Sequence, residues 1–334
     1  MLSRRKFIQA CITSPVILNS AVYADNKIIT VTGEISSSEL GATLIHEHVL
    51  VDFIGSDKIT PDRWQHDAVI KKVLPYLLEI KSKGIKSIAE CTPAFIGRDV
   101  RLLQKLADRS GIQILTNTGY YGASDNKYLP SIAIVETANQ LAERWINEFK
   151  FGIEGTSVKP AFIKIGVNPG RLSDLHKKLI TAAAITHLQT GLTIYSHTGP
   201  AIPAYQQLEI LKQLGVHPGA FVWVHATGTN EDFLAIAKMG AWISLDGIDD
   251  SNLDKNYKII SLLKSNGLLN KVLISHDAGW YQPGEPDGGK FKGYTTISDK
   301  FIPYLISNGF TKKEIDQILV KNPAQMLSIK VRKM

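Results

Sequence analysis

Ala42-Thr43-Leu44-Ile45-His46-Glu47-His48 is an apolar run that ends in two histidines spaced i, i+2. Side chains alternate along a strand, so His46 and His48 point the same way. Two imidazoles on one side of a strand end make half of a metal site. A His-x-His pair alone is a weak motif. Its weight comes from the rest of the chain, where later strand-like runs also end in a ligand-type residue, at Lys164, His197, His225 and Asp277.

Around these residues, short β-branched runs alternate with longer helical patterns. The sequence predicts strands over 42–45, 87–91, 112–117, 161–165, 192–195, 220–224, 241–245 and 272–275. It predicts helices over 67–82, 99–109, 132–149, 173–190, 202–214, 230–239, 253–266 and 312–319. Gly84, Gly111, Gly191, Gly215, Gly240 and Gly267 stand where left-handed helix caps are expected. This alternation predicts an α/β fold, a (β/α)8 TIM barrel. A doubly wound sheet is the alternative, but no Gly-x-Gly-x-x-Gly loop follows the first strand.

Residues 1–24 read as an export signal. Ser3-Arg4-Arg5-Lys6-Phe7-Ile8 is a twin-arginine pattern, 9–19 carries no charge, and Val22-Tyr23-Ala24 fits a cleavage site. The apolar run is too short to span a bilayer, and no later run reaches the roughly 20 residues needed. The expected location is the periplasm, with 25–334 as a single barrel domain. Removing 24 of 334 residues leaves 310, and the loss of three basic residues takes the net charge from +7 to +4. This mild charge, without a basic block interleaved with aromatics, gives nucleic-acid binding no support. Cys11 lies in the signal, which leaves Cys91 alone and excludes an intrachain disulfide. Cys91 reads as a small core residue.

In a barrel, the C-terminal strand ends form the catalytic face. Each ligand-type residue also has a structural reading. His197 and His225 could be water-facing strand ends, Lys164 a barrel lysine paired with a carboxylate, and Asp277 a turn cap. Their convergence on one mouth favours function. The order His, His, Lys, His, His, Asp suggests two adjacent divalent ions, one held by two histidines and the aspartate, the other by two histidines. A bridging anion is then required. A lysine amine that has reacted with carbon dioxide becomes a carbamate whose two oxygens can bridge the pair.

Longer motifs carry a resemblance over almost the whole remaining chain. They are Thr43-Leu44-Ile45-His46-Glu47-His48, Gly97-Arg98-Asp99-Val100, Thr118-Gly119-Tyr120-Tyr121 and Gly152-Ile153-Glu154-Gly155-Thr156. Phe162-Ile163-Lys164-Ile165, Ser196-His197-Thr198-Gly199, Ser275-His276-Asp277 and Asn322-Pro323-Ala324 complete them. In these the chain resembles the phosphotriesterase family of the amidohydrolase superfamily. The resemblance implies that His46, His48 and Asp277 bind the more buried ion and His197 and His225 the more exposed one. Lys164, as a carbamate, and a hydroxide would bridge them. The metals would be Zn2+, with Mn2+ or Co2+ as alternatives. The substrate would be a small lactone, carboxylic ester or organophosphate triester, attacked by the hydroxide with Asp277 as proton acceptor. A homodimer is compatible with this reading.

Two departures bear on the substrate. Organophosphate specialists of the family read Leu-Asp-His at the end of strand seven, and lactonases often carry Arg there. This chain reads Leu245-Asp246-Gly247. After the strand-six histidine the specialists read Ser-Asp-Asp, and this chain reads Ala226-Thr227-Gly228. The proton relay is therefore missing, which favours an activated carbonyl over a triester. Tyr121 matches a pocket tyrosine of the lactonases. Segment 280–296, with Trp280 at its start and Lys290 and Lys292 within it, reads as a substrate lid or a solvent loop. Two other classes remain open: a Schiff-base lyase using Lys164 as a free amine, and a non-catalytic carbohydrate or peptide binder on a barrel scaffold.

Overall fold

Alternation along each strand sorts its side chains between two apolar layers. On the strand Phe162–Gly166, Ile163 and Ile165 pack outward against the helices, while Phe162 joins the barrel interior. The computed structural model describes residues 26–334, so the expected signal and Cys11 lie outside the described residues. The barrel strands are Thr43–Leu50, Ser87–Glu90, Gln113–Leu115 continued by Asn117–Thr118, Phe162–Gly166, Thr193–His197, Phe221–Val224, Trp242–Leu245 and Val272–Ile274. From strand one to strand eight, each pairs in parallel with the next. They coincide with the eight strands expected from sequence, and the fold is a TIM barrel. The expected glycine caps all have positive φ, as a left-handed helix end requires.

The seam between strands eight and one is closed by an added strand. Gly279–Tyr281 runs parallel to strand one, with Gly279 beside His48 and Tyr281 beside Leu50. The Asp277 amide donates to the His46 carbonyl at 3.1 Å, and the His48 amide to the Ala278 carbonyl at 2.8 Å. A Cβ at position 279 would lie 1.8 Å from the His48 carbonyl oxygen, so only glycine permits this approach. Glu47, fully buried in the seam, accepts from Ser275 Oγ, the amides of His276 and Ala278, and His276 Nδ1.

Three elements depart from the sequence expectation. The helix expected over 132–149 is two helices, Ser131–Val135 and Ala138–Phe151. Thr137 breaks it, because Thr137 and Gln140 form a reciprocal capping box that starts a new helix. The antiparallel hairpin of Lys27–Thr30 and Gly33–Ser36 was not expected, and it packs Ile28 and Ile29 against the barrel interior. Segment 280–296 is a packed return rather than a solvent loop. Phe291 and Tyr294 are buried, Gly279 and Lys292 exchange backbone hydrogen bonds, and Tyr294 Oη donates to the His48 carbonyl at 2.7 Å.

Candidate metal centre

Strand one does not deliver its histidines by simple alternation. Leu44 pairs with Ile88 but Glu47 pairs with Glu90, so strand one holds one residue more than its neighbour across this step. That irregularity changes the phase of the pleat. Ile45 faces the barrel interior below it, and His46 and His48 face the interior above it. Two further residues are aimed by unusual backbone. His225, just past strand six, has φ 55°, and Asp277, past strand eight, has φ 49°. Non-glycine residues in the left-handed region store strain and cluster at functional sites.

The six expected residues meet at the mouth. Asp277 Oδ1 lies 3.1 Å from His48 Nε2 and 3.7 Å from His46 Nε2, while its Oδ2 lies 4.0 Å from His225 Nε2. Lys164 Nζ is 3.3 Å from His46 Nε2. The His197 and His225 rings sit 4.4 Å apart, and His46 and His225 5.0 Å. His46, His48 and Asp277 have ligand atoms close enough to hold one ion.

Sequence reasoning missed Asp246. Its carboxylate is wholly buried beneath the cluster. Oδ2 accepts from His46 Nδ1 at 2.7 Å and Ser244 Oγ at 2.8 Å. Oδ1 accepts from His225 Nδ1 at 2.8 Å and the His225 amide at 2.9 Å. Asp246 could itself form a ligand group with His46 and His225, but it engages Nδ1 of both rings, the side turned away from Asp277. Its contacts make it an orienting partner that leaves both Nε2 lone pairs free toward the cluster. The signal was available: Asp246 ends strand seven just as the other polar residues end theirs. Glu90 and Thr92, at the end of strand two, were missed for the same reason.

The charges are tightly interlocked. Burial, then the charge of Lys164, pushes the His46 imidazole down to about 4 despite Asp246. Burial, then the charges of His225 and Lys164, holds His197 well below its ordinary value. Burial also pulls on His225, but Asp246 and then Asp277 outweigh it and raise the ring. Burial opposes ionisation of Asp277 and Asp246, yet the surrounding histidines hold both carboxyls below the usual range.

These donors fit a pair of divalent ions. Four imidazoles and a carboxylate suit Zn2+, Mn2+ or Co2+. Lys164 is 1 % exposed and has no acidic partner among the described residues, only the His46 ring. Its nearest polar neighbour is an imidazole rather than a carboxylate. Among the described residues Lys164 thus forms no ion pair with a carboxylate.

The expected pocket residues line the same mouth. Tyr121 packs edge-on against His197, with ring centres 5.0 Å apart, and Trp280 against His48 at 6.1 Å. Phe53 and Tyr128, not anticipated, extend this wall, with Phe53 lying 5.7 Å from Tyr128 and 6.2 Å from Trp280. Lys292 Nζ points to the His276 carbonyl at 3.4 Å.

The model of the phosphotriesterase family matches residues 26–327. The chain belongs to the phosphotriesterase family. It is 31 % identical to the aryldialkylphosphatase of Saccharolobus solfataricus over 308 residues, which cover 88 % of this chain and 97 % of that one. It is 28 % identical to the phosphotriesterase homology protein of Escherichia coli over 291 residues, 85 % of this chain and 97 % of that one. The solved structure of the Escherichia coli protein, with phosphate in its active site, superposes with a TM-score of 0.75 at 26 % identity, covering 86 % of this chain and 99 % of that one. The N-acetyltaurine hydrolase of Bos taurus is 27 % identical over 351 residues, 91 % of this chain and 98 % of its own. Membership in this family makes the chain a metal-dependent hydrolase.

Proposed function

We propose that this chain is a binuclear-metal hydrolase of lactones, carboxylic esters or organophosphate triesters, exported to the periplasm by its twin-arginine signal. One observation carries the reading. The Nε2 atoms of His46, His48 and His225 all face the Asp277 carboxylate, next to a buried Lys164 that lacks any acid partner among the described residues.

His46, His48 and Asp277 would hold one ion and His197 and His225 the other, with carbamylated Lys164 bridging. When bound, such a pair activates water and polarises the bond under attack. The chain's own residues do the rest. Asp246 keeps the protons of His46 and His225 on Nδ1. Asp277 is 22 % exposed, so its carboxylate would take a proton at the mouth and release it there. Tyr121, Tyr128, Phe53 and Trp280 offer an apolar wall to one substituent of the substrate.

A Schiff-base lyase would need Lys164 as an amine open to substrate, and its burial behind His46 argues against that. A non-catalytic binder would leave the strained, interlocked cluster without a use. The test is elemental analysis followed by a hydrolysis screen of the zinc- or manganese-loaded protein. The screen should span lactones, aryl esters, triesters and N-acyl amides, the last because of the N-acetyltaurine hydrolase relatives. About two divalent ions per chain and turnover of an ester are expected. Folded protein that turns over substrate with no tightly bound metal refutes the proposal.

A further inference from the structure

Behind His48, on the side turned away from the cluster, runs a short polar chain with no place in the chemistry above. His48 Nδ1 lies 2.8 Å from Thr92 Oγ1. The Thr92 hydroxyl donates to Glu90 Oε1. Glu90 is 1 % exposed and also accepts from the Val49 amide at 3.2 Å and the Thr92 amide at 3.3 Å. Among the described residues it has no ion-pair partner. Burial raises the Glu90 carboxyl, but each of its oxygens accepts a backbone N–H, Oε1 from Val49 and Oε2 from Thr92, so it faces the Thr92 hydroxyl as an acceptor. The single hydroxyl proton of Thr92 is thus committed to Glu90, and Thr92 Oγ1 faces His48 with a lone pair. Only a proton on His48 Nδ1 satisfies that contact, and Nε2 is then left free toward Asp277.

We propose that Glu90 and Thr92 form a positioning arm that fixes the tautomer and aim of His48. The inference rests on the proposed metal centre. Asp246 serves two histidines directly; this arm serves the third through a hydroxyl, from a different strand. Asp246 reaches His46 from strand seven and the arm reaches His48 from strand two, so the two rings of the buried ion are braced from opposite sides. Glu90 and Thr92 are buried on the side of the His48 ring opposite Asp277.

The arm is tested on the full chain by metal competition with a chelating dye, using Zn2+ as the probe. Thr92→Val keeps the shape and removes the hydroxyl. It should weaken one of the two bound equivalents by about 10- to 100-fold, the usual scale for a partner of a metal-ligating histidine. Thr92→Ser restores the hydroxyl and should bind as the parent does. In a His48→Ala background, Thr92→Val should cost nothing more, because the ring it serves is gone. Thermal unfolding of the stripped proteins checks that the variants fold. If Thr92→Val binds both equivalents as tightly as the parent, or Thr92→Ser binds as weakly as Thr92→Val, the arm is refuted. An additive loss in the His48→Ala background refutes it too, by marking a general packing role. A parent chain that takes up no Zn2+ overturns the metal centre itself, and the arm with it.

Discussion

Asp246→Asn changes one atom at the hub of the cluster, and the hydrogen bonds around it predict which side fails. Oδ1 receives two fixed N–H donors, from the His225 ring at 2.8 Å and the His225 backbone at 2.9 Å. Oδ2 receives one fixed donor, the His46 ring at 2.7 Å, and one hydroxyl, Ser244, which can rotate to accept instead. An amide NH2 is tolerated only where fewer fixed donors oppose it. It therefore takes the Oδ2 position, and His46 loses its acceptor. The ring must then keep an unpaired proton on Nδ1 or move it to Nε2, where it blocks the lone pair that a metal needs. A hydrogen bond to a charged group contributes about 1.5–3 kcal/mol, and each 1.4 kcal/mol is a factor of ten. The His46 side should thus lose about 10- to 100-fold in affinity for Zn2+, while the His197 and His225 side holds. Dye competition on stripped protein measures this, and the same loss should persist in a His225→Ala background. Parent affinity at both equivalents, or loss confined to the His225 side, would refute the reasoning.

Three further outcomes are expected. Lys164→Ala should lose bound metal and activity together, and short carboxylates with bicarbonate should restore part of both; full metal content without rescue would remove Lys164 as the bridge. Asp277→Asn should cut turnover by about 100-fold or more, the scale of a positioned acid–base group, with the melting temperature of the loaded protein as the control; unchanged turnover rejects Asp277 as proton acceptor. Gly247 has open space beside it and offers no side chain to pass protons outward, so kcat/KM for the best lactone or carboxylic ester should exceed that for any triester by at least about tenfold, or roughly 1.4 kcal/mol of transition-state preference. A triester that heads the screen sinks this last expectation.

The strands and the six ligand-type residues were legible because each is a local signal. An apolar run announces a strand, and a polar residue at its end announces the mouth. What stayed hidden depends on contacts between strands. The pleat shift after Leu44 that turns His46 inward requires the register with strand two. The left-handed turns at His225 and Asp277 leave no mark in composition. Asp246 stands in a motif whose next residue, Gly247, draws the attention, although its own position carries the same message as His197. Segment 280–296 looks like a loop because glycine and proline dominate it, while its buried Phe291 and Tyr294 find partners far away in the chain.

The seam at Glu47 also joins the two ends of the barrel in sequence. Its hydrogen bonds reach residues 228 to 231 positions further along the chain. During synthesis, His46 and His48 emerge about 230 residues before Asp277. The unfinished chain therefore offers an ion only part of the cluster, and closing so long a loop without the barrel would be entropically costly. An ion held by His48 and Asp277 would join the first strand to the last, tying the two ends of the barrel across the seam.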